Sequence, residues 1–213
     1  MVVSFQMMGE RGSCEASALS SQGAKSVSAA TLFAPPPVGL RLAVIKGMIP
    51  AQGRTCGSCT FCCKVLGIGA LEKPAGRWCA HCKPGRGCTI YEKRPGECAD
   101  FACQWLVDPR FPEALRPDKV KVMVSGDQGG RIIAHCDPDN PAAWRSPAVF
   151  HTLKSVAANT WASAVTVLAV AGRRTWLIAP AAEYDLGVVP EGGQVEMEKF
   201  PDGTARVGQR GAS

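Results

Sequence analysis

Nine of the chain's eleven cysteines fall between Cys56 and Cys103. A segment so dense in thiols, and so rich in Gly and Pro, has little room for a hydrophobic core of its own. It folds as a disulfide scaffold or around metal. The spacing favours metal. Cys56-Gly-Ser-Cys59-Thr-Phe-Cys62-Cys63 reads C-x2-C-x2-C-C, and Cys79-Ala-His-Cys82, Cys88, Cys98 and Cys103 follow. Cys56-x2-Cys59 and Cys79-x2-Cys82 fall within a zinc pattern, whereas Cys56-x2-Cys59-x2-Cys62 opens like a ferredoxin run. A plain ferredoxin is disfavoured because no cysteine here precedes proline.

Nine thiols exceed the four that one tetrahedral ion takes. Neighbouring side chains diverge, so Cys62-Cys63 points to two metals or a polynuclear cluster. A helix starting at a Ser58 cap would bring Cys59, Cys62 and Cys63 toward one side, with Cys56 at its N-terminus, where the helix dipole stabilises thiolates. Pro95 fits the start of another helix, on which Cys98 and Cys103 would diverge.

The formal charge of +6 counts thiols as neutral. Eight thiolates around two divalent ions would lower it by about 4, so the basic residues suit a thiolate site as well as a nucleic acid. Lys64, Lys73, Arg77, Lys83, Arg86, Lys93 and Arg94 are interspersed among the thiols rather than grouped beside exposed aromatics.

The cysteine run, together with Cys88-x-Ile90-Tyr91-x-x-Arg94-Pro95-x-x-Cys98 and Phe101-x-Cys103, resembles the YkgJ-type cysteine-cluster (CxxCxxCC) family of zinc- or iron-chelating proteins. Flagellin lysine N-methylases carry a related module. The resemblance covers about 50 residues and implies metal chelation without naming a reaction; Cys79-x2-Cys82 is an addition to the leanest form of the pattern. The expected ligands are Cys56, Cys59, Cys62, Cys63, Cys79, Cys82, Cys88, Cys98 and Cys103, binding zinc or iron, the latter also as an iron–sulfur cluster. Two alternatives stand beside chelation: an iron–sulfur or metal-dependent enzyme acting on a protein, and a zinc-ribbon module for nucleic acid. No Ser-His-Asp arrangement, phosphate loop or dinucleotide fingerprint assigns a reaction.

Other candidates read as ordinary residues. Cys14 and Cys136 are incidental thiols, and alternation within Cys79-Ala-His81-Cys82 turns His81 away from its neighbours. His135 and His151 are structural or surface groups. Arg94 has the fork to hold a carboxylate or to neutralise a cluster. Tyr91, Phe101 and Trp105 form a small module core, and Glu97 and Asp100 lack an evident substrate site.

The expected fold class is α+β: a Cys-rich metal-stabilised module followed by a small antiparallel ββαββ sheet with one packed helix. Residues 1–50 read as a disordered arm, with Met48 as an alternative start, 51–110 as the cysteine module, 111–186 as the α+β part and 187–213 as a flexible tail. The alternating 119–125 and 131–136 form a first hairpin, 147–159 a helix with Pro147 in its first turn and Ser146 as its cap, and 164–170 with 175–178 a second hairpin. The longest apolar run, 161–172, is too short to span a bilayer, and the start lacks a basic leader. A cytoplasmic protein is expected, with reduced thiols, a metal ion as ligand, a protein partner left open, and neither nucleic acid nor membrane.

Overall fold

The computed structural model describes residues 1–6, 49–127, 129–190 and 193–210. The fold is mixed helix and strand, with several sheets and few helices. In chain order come β1 (Val2–Gln6), α1 (Cys62–Val65), β2 (Cys82–Lys83), β3 (Gly87–Cys88), α2 (Gly96–Ala99), α3 (Gln104–Val107) and α4 (Pro117–Val120). Then follow β4 (Val122–Gly126), β5 (Arg131–Cys136), α5 (Pro147–Thr160), β6 (Thr166–Ala171), β7 (Arg174–Ile178), β8 (Glu183–Val188), β9 (Gln194–Lys199) and β10 (Ala205–Arg210).

A five-stranded sheet in the order β4-β5-β6-β7-β8 forms the centre. Both expected hairpins, β4–β5 and β6–β7, are present and antiparallel, but β5 and β6 run parallel, with Ile133 opposite Leu168. The sheet is therefore mixed, which corrects the expectation of a purely antiparallel one. The cause is α5: a helix between two strands carries the chain back to the starting end of the sheet, so the next strand enters in the same direction. Pro147 opens α5 as expected, but Ser146 contributes no side-chain cap; its carbonyl accepts the Phe150 N–H at 2.8 Å. The helix buries Val149, Leu153 and Ala157, spaced four apart along one face.

Strand alternation splits the sheet into two faces. Val122, Val124, Ile132, Ala134, Val167, Ala169 and Ile178 join α5, Trp144 and Trp105 in the main core. Leu168, Leu177 and Leu186 instead join Val195, Met197 and Ala205 of a second, three-stranded sheet, ordered β1-β9-β10. Met123, between the two valines of β4, meets Phe61 and Val65 of the cysteine module.

The second sheet overturns two expectations. Residues 187–213, expected as a flexible tail, supply β9 and β10; the first residues, expected as part of a disordered arm, supply β1. A chain begun at Met48 would lack that edge strand. The rest of the proposed arm, 7–48, lies outside the described residues. Two contacts dock this sheet beside the end of α5: Trp161 Nε1 donates to the Phe200 carbonyl at 2.7 Å, and the Lys199 ammonium donates to the Ser163 and Val165 carbonyls at 2.9 and 2.6 Å. Among the described residues no helix is long and apolar enough to cross a membrane.

His135 of β5 sits 2.9 Å from the Ser125 hydroxyl of β4. Burial pushes it down to about 4, against a smaller opposing pull from Asp127. The folded protein thus holds this imidazole neutral where the unfolded chain would protonate it. Its contribution is fully present above the ordinary histidine pKa and is lost as pH falls toward the folded value. Between pH 7 and pH 5 the loss amounts to about 2 kcal/mol. Urea titrations at the two pH values are expected to show a drop of that size for the native chain relative to His135→Gln. Equal pH responses would refute it.

Candidate metal centre

Cys56 and Cys59 are set by a tight turn in which the Cys59 N–H donates to the Cys56 carbonyl at 2.7 Å. Gly57 takes φ +44°, a left-handed conformation open to glycine without strain. The helix expected from Ser58 is shorter than its spacing suggested. It spans only Cys62–Val65, so Cys59 lies ahead of it, and the Ser58 hydroxyl accepts a 2.7 Å hydrogen bond from Arg116 rather than capping. Phe61 and Val65 anchor α1 by burying themselves against Met123. At the other end the buried Lys73 ammonium donates to the Lys64 and Leu66 carbonyls, meeting acceptors that α1 leaves open.

Lys64 itself is buried and turns toward the central sheet. Its ammonium contacts Asp137 and Asp139, each at 2.6 Å, just beyond β5. The helix carrying Cys62 and Cys63 is thereby tied to the sheet by charge as well as by Phe61 and Val65.

The later cysteines are stitched onto α1. The Cys79 N–H donates to the Cys63 carbonyl at 3.0 Å, and the Cys82 N–H to the Cys79 carbonyl at 3.0 Å. Cys82 pairs with Cys88 across the two-residue β2–β3 ladder. Pro95 precedes α2 as expected, but α2 ends at Ala99 and α3 is separate, so Cys98 and Cys103 do not share a helix. They still face different neighbours. Cys98 interacts electrostatically with Cys63, Cys79 and Cys88, and Cys103 with Cys59 and Cys56.

Eight of the nine expected ligands, Cys56, Cys59, Cys62, Cys63, Cys79, Cys88, Cys98 and Cys103, line one cavity of about 660 Å³. The ninth, Cys82, lies outside its lining but within hydrogen-bond reach of Cys63. All ten described cysteines are free thiols. Among the described residues no three His, Cys, Asp or Glu side chains are gathered as a ready-made site for an ion. The thiols encircle a space rather than converge on a point.

Searches against family models, curated proteins and solved structures return no match for this chain. Its chemistry is read from the donor set alone.

That set is soft, made of thiols with basic neighbours. Lys73, Arg86 and Arg94 line the cavity, as do Glu97 and Asp100. Burial raises the Cys56 thiol, and Cys59 and Cys63 raise it further against the pull of Arg94 and Arg116. Cys63 is pushed well up, first by its hydrogen bond with Cys62 and then by burial. Burial, followed by other thiols, raises Cys82 to about 11 and also raises Cys98. Burial likewise takes Cys103 to about 11. The common cause is that part-buried thiolates cannot all ionise side by side without a cation among them. Zinc, iron and iron–sulfur groups supply that charge and suit thiolate ligands.

Of the remaining candidates, Tyr91 and Trp105 also line the cavity, whereas Cys136, His81 and His151 do not. Cys136 is buried in the main core, where burial raises its thiol to about 12. Cys14 lies outside the described residues. His81 is outside the cavity lining, its carbonyl accepting from Thr89, and His151 is exposed on α5. Tyr91 is not core: it is 50% exposed, with the Arg94 guanidinium 3.8 Å from its ring centre. Trp105 is buried as expected but belongs to the main core, with the guanidinium groups of Arg54 and Arg116 5.2 and 5.7 Å from its ring centre. Sequence reasoning passed over Arg54 and Arg116 because they flank the cysteine run. Arg54 donates to the Asp108 and Phe111 carbonyls at 2.7 and 2.5 Å, fastening the entry of the module to its exit.

Proposed function

We propose that this chain is a metal-chelating protein that holds zinc or iron, the latter also as an iron–sulfur cluster, through Cys56, Cys59, Cys62, Cys63, Cys79, Cys82, Cys88, Cys98 and Cys103. The observation that carries the reading is the gathering of eight of these thiols around one cavity that also presents Lys73, Arg86 and Arg94. Excess thiolate charge is offset there by nearby cations, and thiolates are the ligands that zinc and iron–sulfur groups take. The likeness of the cysteine run to the YkgJ-type family supports the same reading. So does the small size of the core that the module builds for itself, Phe61 and Val65 with Met123 of the sheet, flanked by part-buried Leu66 and Phe101. On this proposal residues 51–110 are a metal-stabilised module, and the protein works in the cytoplasm, where its thiols stay reduced.

Elemental analysis of chain purified without oxygen tests the proposal and identifies the metal. Zinc leaves the protein colourless, whereas a thiolate-bound iron–sulfur group absorbs visible light. Cys59→Ser is expected to lower bound metal, and Cys136→Ser, whose sulfur lies in the main core, to leave it unchanged. A purified chain without metal, or equal losses in the two variants, would overturn the assignment.

A further inference from the structure

We infer that the cysteine cluster comprises two adjacent metal sites: one beside the Phe61–Val65–Met123 anchor, called inner for that contact although its Cys56 is exposed, formed by Cys56, Cys59, Cys62 and Cys103, and an outer one drawn from Cys63, Cys79, Cys82, Cys88 and Cys98. The inference rests on the chelation reading and adds to it a division of the ligands. Three of the inner thiols, Cys59, Cys62 and Cys103, pack against the cluster of Phe61, Val65 and Met123. Cys56 is bound to them by its turn hydrogen bond to Cys59 and lies within electrostatic reach of Cys103. In number, that set of four equals the ligands of one tetrahedral ion, although the four are not gathered at one point.

The outer thiols are joined by different contacts. Cys63 and Cys82 are within hydrogen-bond reach of each other, Cys79 donates its N–H to the Cys63 carbonyl, and Cys88 stands across the β2–β3 ladder from Cys82. Cys98 approaches this group from α2, interacting with Cys63, Cys79 and Cys88. None of these five is among the residues packed on the Phe61–Val65–Met123 cluster.

The adjacent pair marks the boundary. Successive residues of a helix diverge by about 100°, so α1 sends Cys62 toward the apolar anchor and Cys63 toward the β2–β3 ladder. Both residues line the same cavity, as does Cys56, so the sites are neighbours within it.

The test uses the full chain loaded with Zn²⁺, its bound ions counted by native mass spectrometry. The native chain is expected to hold two. Cys56→Ser/Cys59→Ser is expected to hold one, retained on the outer set, and Cys82→Ser/Cys88→Ser one, retained on the inner set. Pulsed alkylation of the native chain during zinc release reads the same division without mutation: the four inner thiols become labelled as one block and the outer thiols as another. A single ion in the native chain, loss of both ions in either variant, or labelling of all nine thiols in one phase would overturn the two-site division while leaving chelation standing. A native chain that takes up neither zinc nor iron would overturn chelation itself.

Discussion

Removing bound metal with a strong chelator under reducing conditions is expected to abolish amide protection from about residue 54 to residue 103 and to spare the β4–β8 sheet. Ligation of a structural zinc contributes on the order of 10 kcal/mol or more to folding, and the module has little else of comparable size. Its own apolar anchor is Phe61 and Val65 against Met123. The boundary falls near Cys103 because Trp105 and Leu106 of α3, with Phe111 beyond it, are buried in the main core and have no need of metal. Hydrogen exchange followed by mass spectrometry locates the boundary directly. Protection unchanged in 54–103 after verified metal removal would count against a metal-stabilised module.

Replacing Lys64 by Met is expected to destabilise the protein by about 3–5 kcal/mol, because the change leaves the Asp137 carboxylate buried without its cation. Lys64 and Asp137 each retain only about a tenth of their side-chain exposure, whereas Asp139 is 84% exposed and water readily replaces its partner. Asp137 therefore dominates the cost. In the fold, hydrogen bonds to Asp137 and Asp139 raise the Lys64 pKa, so this stabilisation is fully present below the ordinary lysine value and fades only in strong alkali. The double variant Lys64→Met/Asp137→Asn removes both charges and is expected to regain a large part of the loss. Denaturant unfolding of the native chain, the single variants Lys64→Met and Asp137→Asn, and the double variant measures the coupling; additive effects of the two substitutions would show that the pair does not join the module to the sheet.

Strands and the long helix were readable where apolar residues kept a regular period. The β4 and β5 alternation, the 147–160 helix and the β6–β7 hairpin all lie within a few residues of where periodicity placed them. The direction of β6 was less evident, since alternation identifies a face but is the same for either strand direction. The α5 crossover between β5 and β6 held that information. The Val195-Glu-Met197-Glu-Lys199 alternation of β9 was present too, masked by flanking Gly and Pro that read as a fraying tail. Lys199 occupies an inward position there because its ammonium finds carbonyl acceptors at the end of α5.

Within the candidate site, the cysteine spacing pointed to nine residues, of which all but Cys82 line one cavity. The limits of the local helices were less legible. Four-residue helices such as α1, α2 and α3 are too short for a hydrophobic period to define, and their ends follow from contacts distant in sequence, such as Arg116 with Ser58. The role of Lys64 was hidden for the same reason, its partner Asp137 being 73 residues away.

That separation also has a meaning in time. At roughly 5–20 residues per second, a ribosome takes about 4–15 s to travel from Lys64 to Asp137. The CxxCxxCC run thus precedes the sheet that anchors α1: β4 and β5 are completed only as that interval ends, and β6 to β8 come later still. The thiols are therefore made before their scaffold exists, and the charge that ties α1 to the sheet arrives only once translation has passed β5.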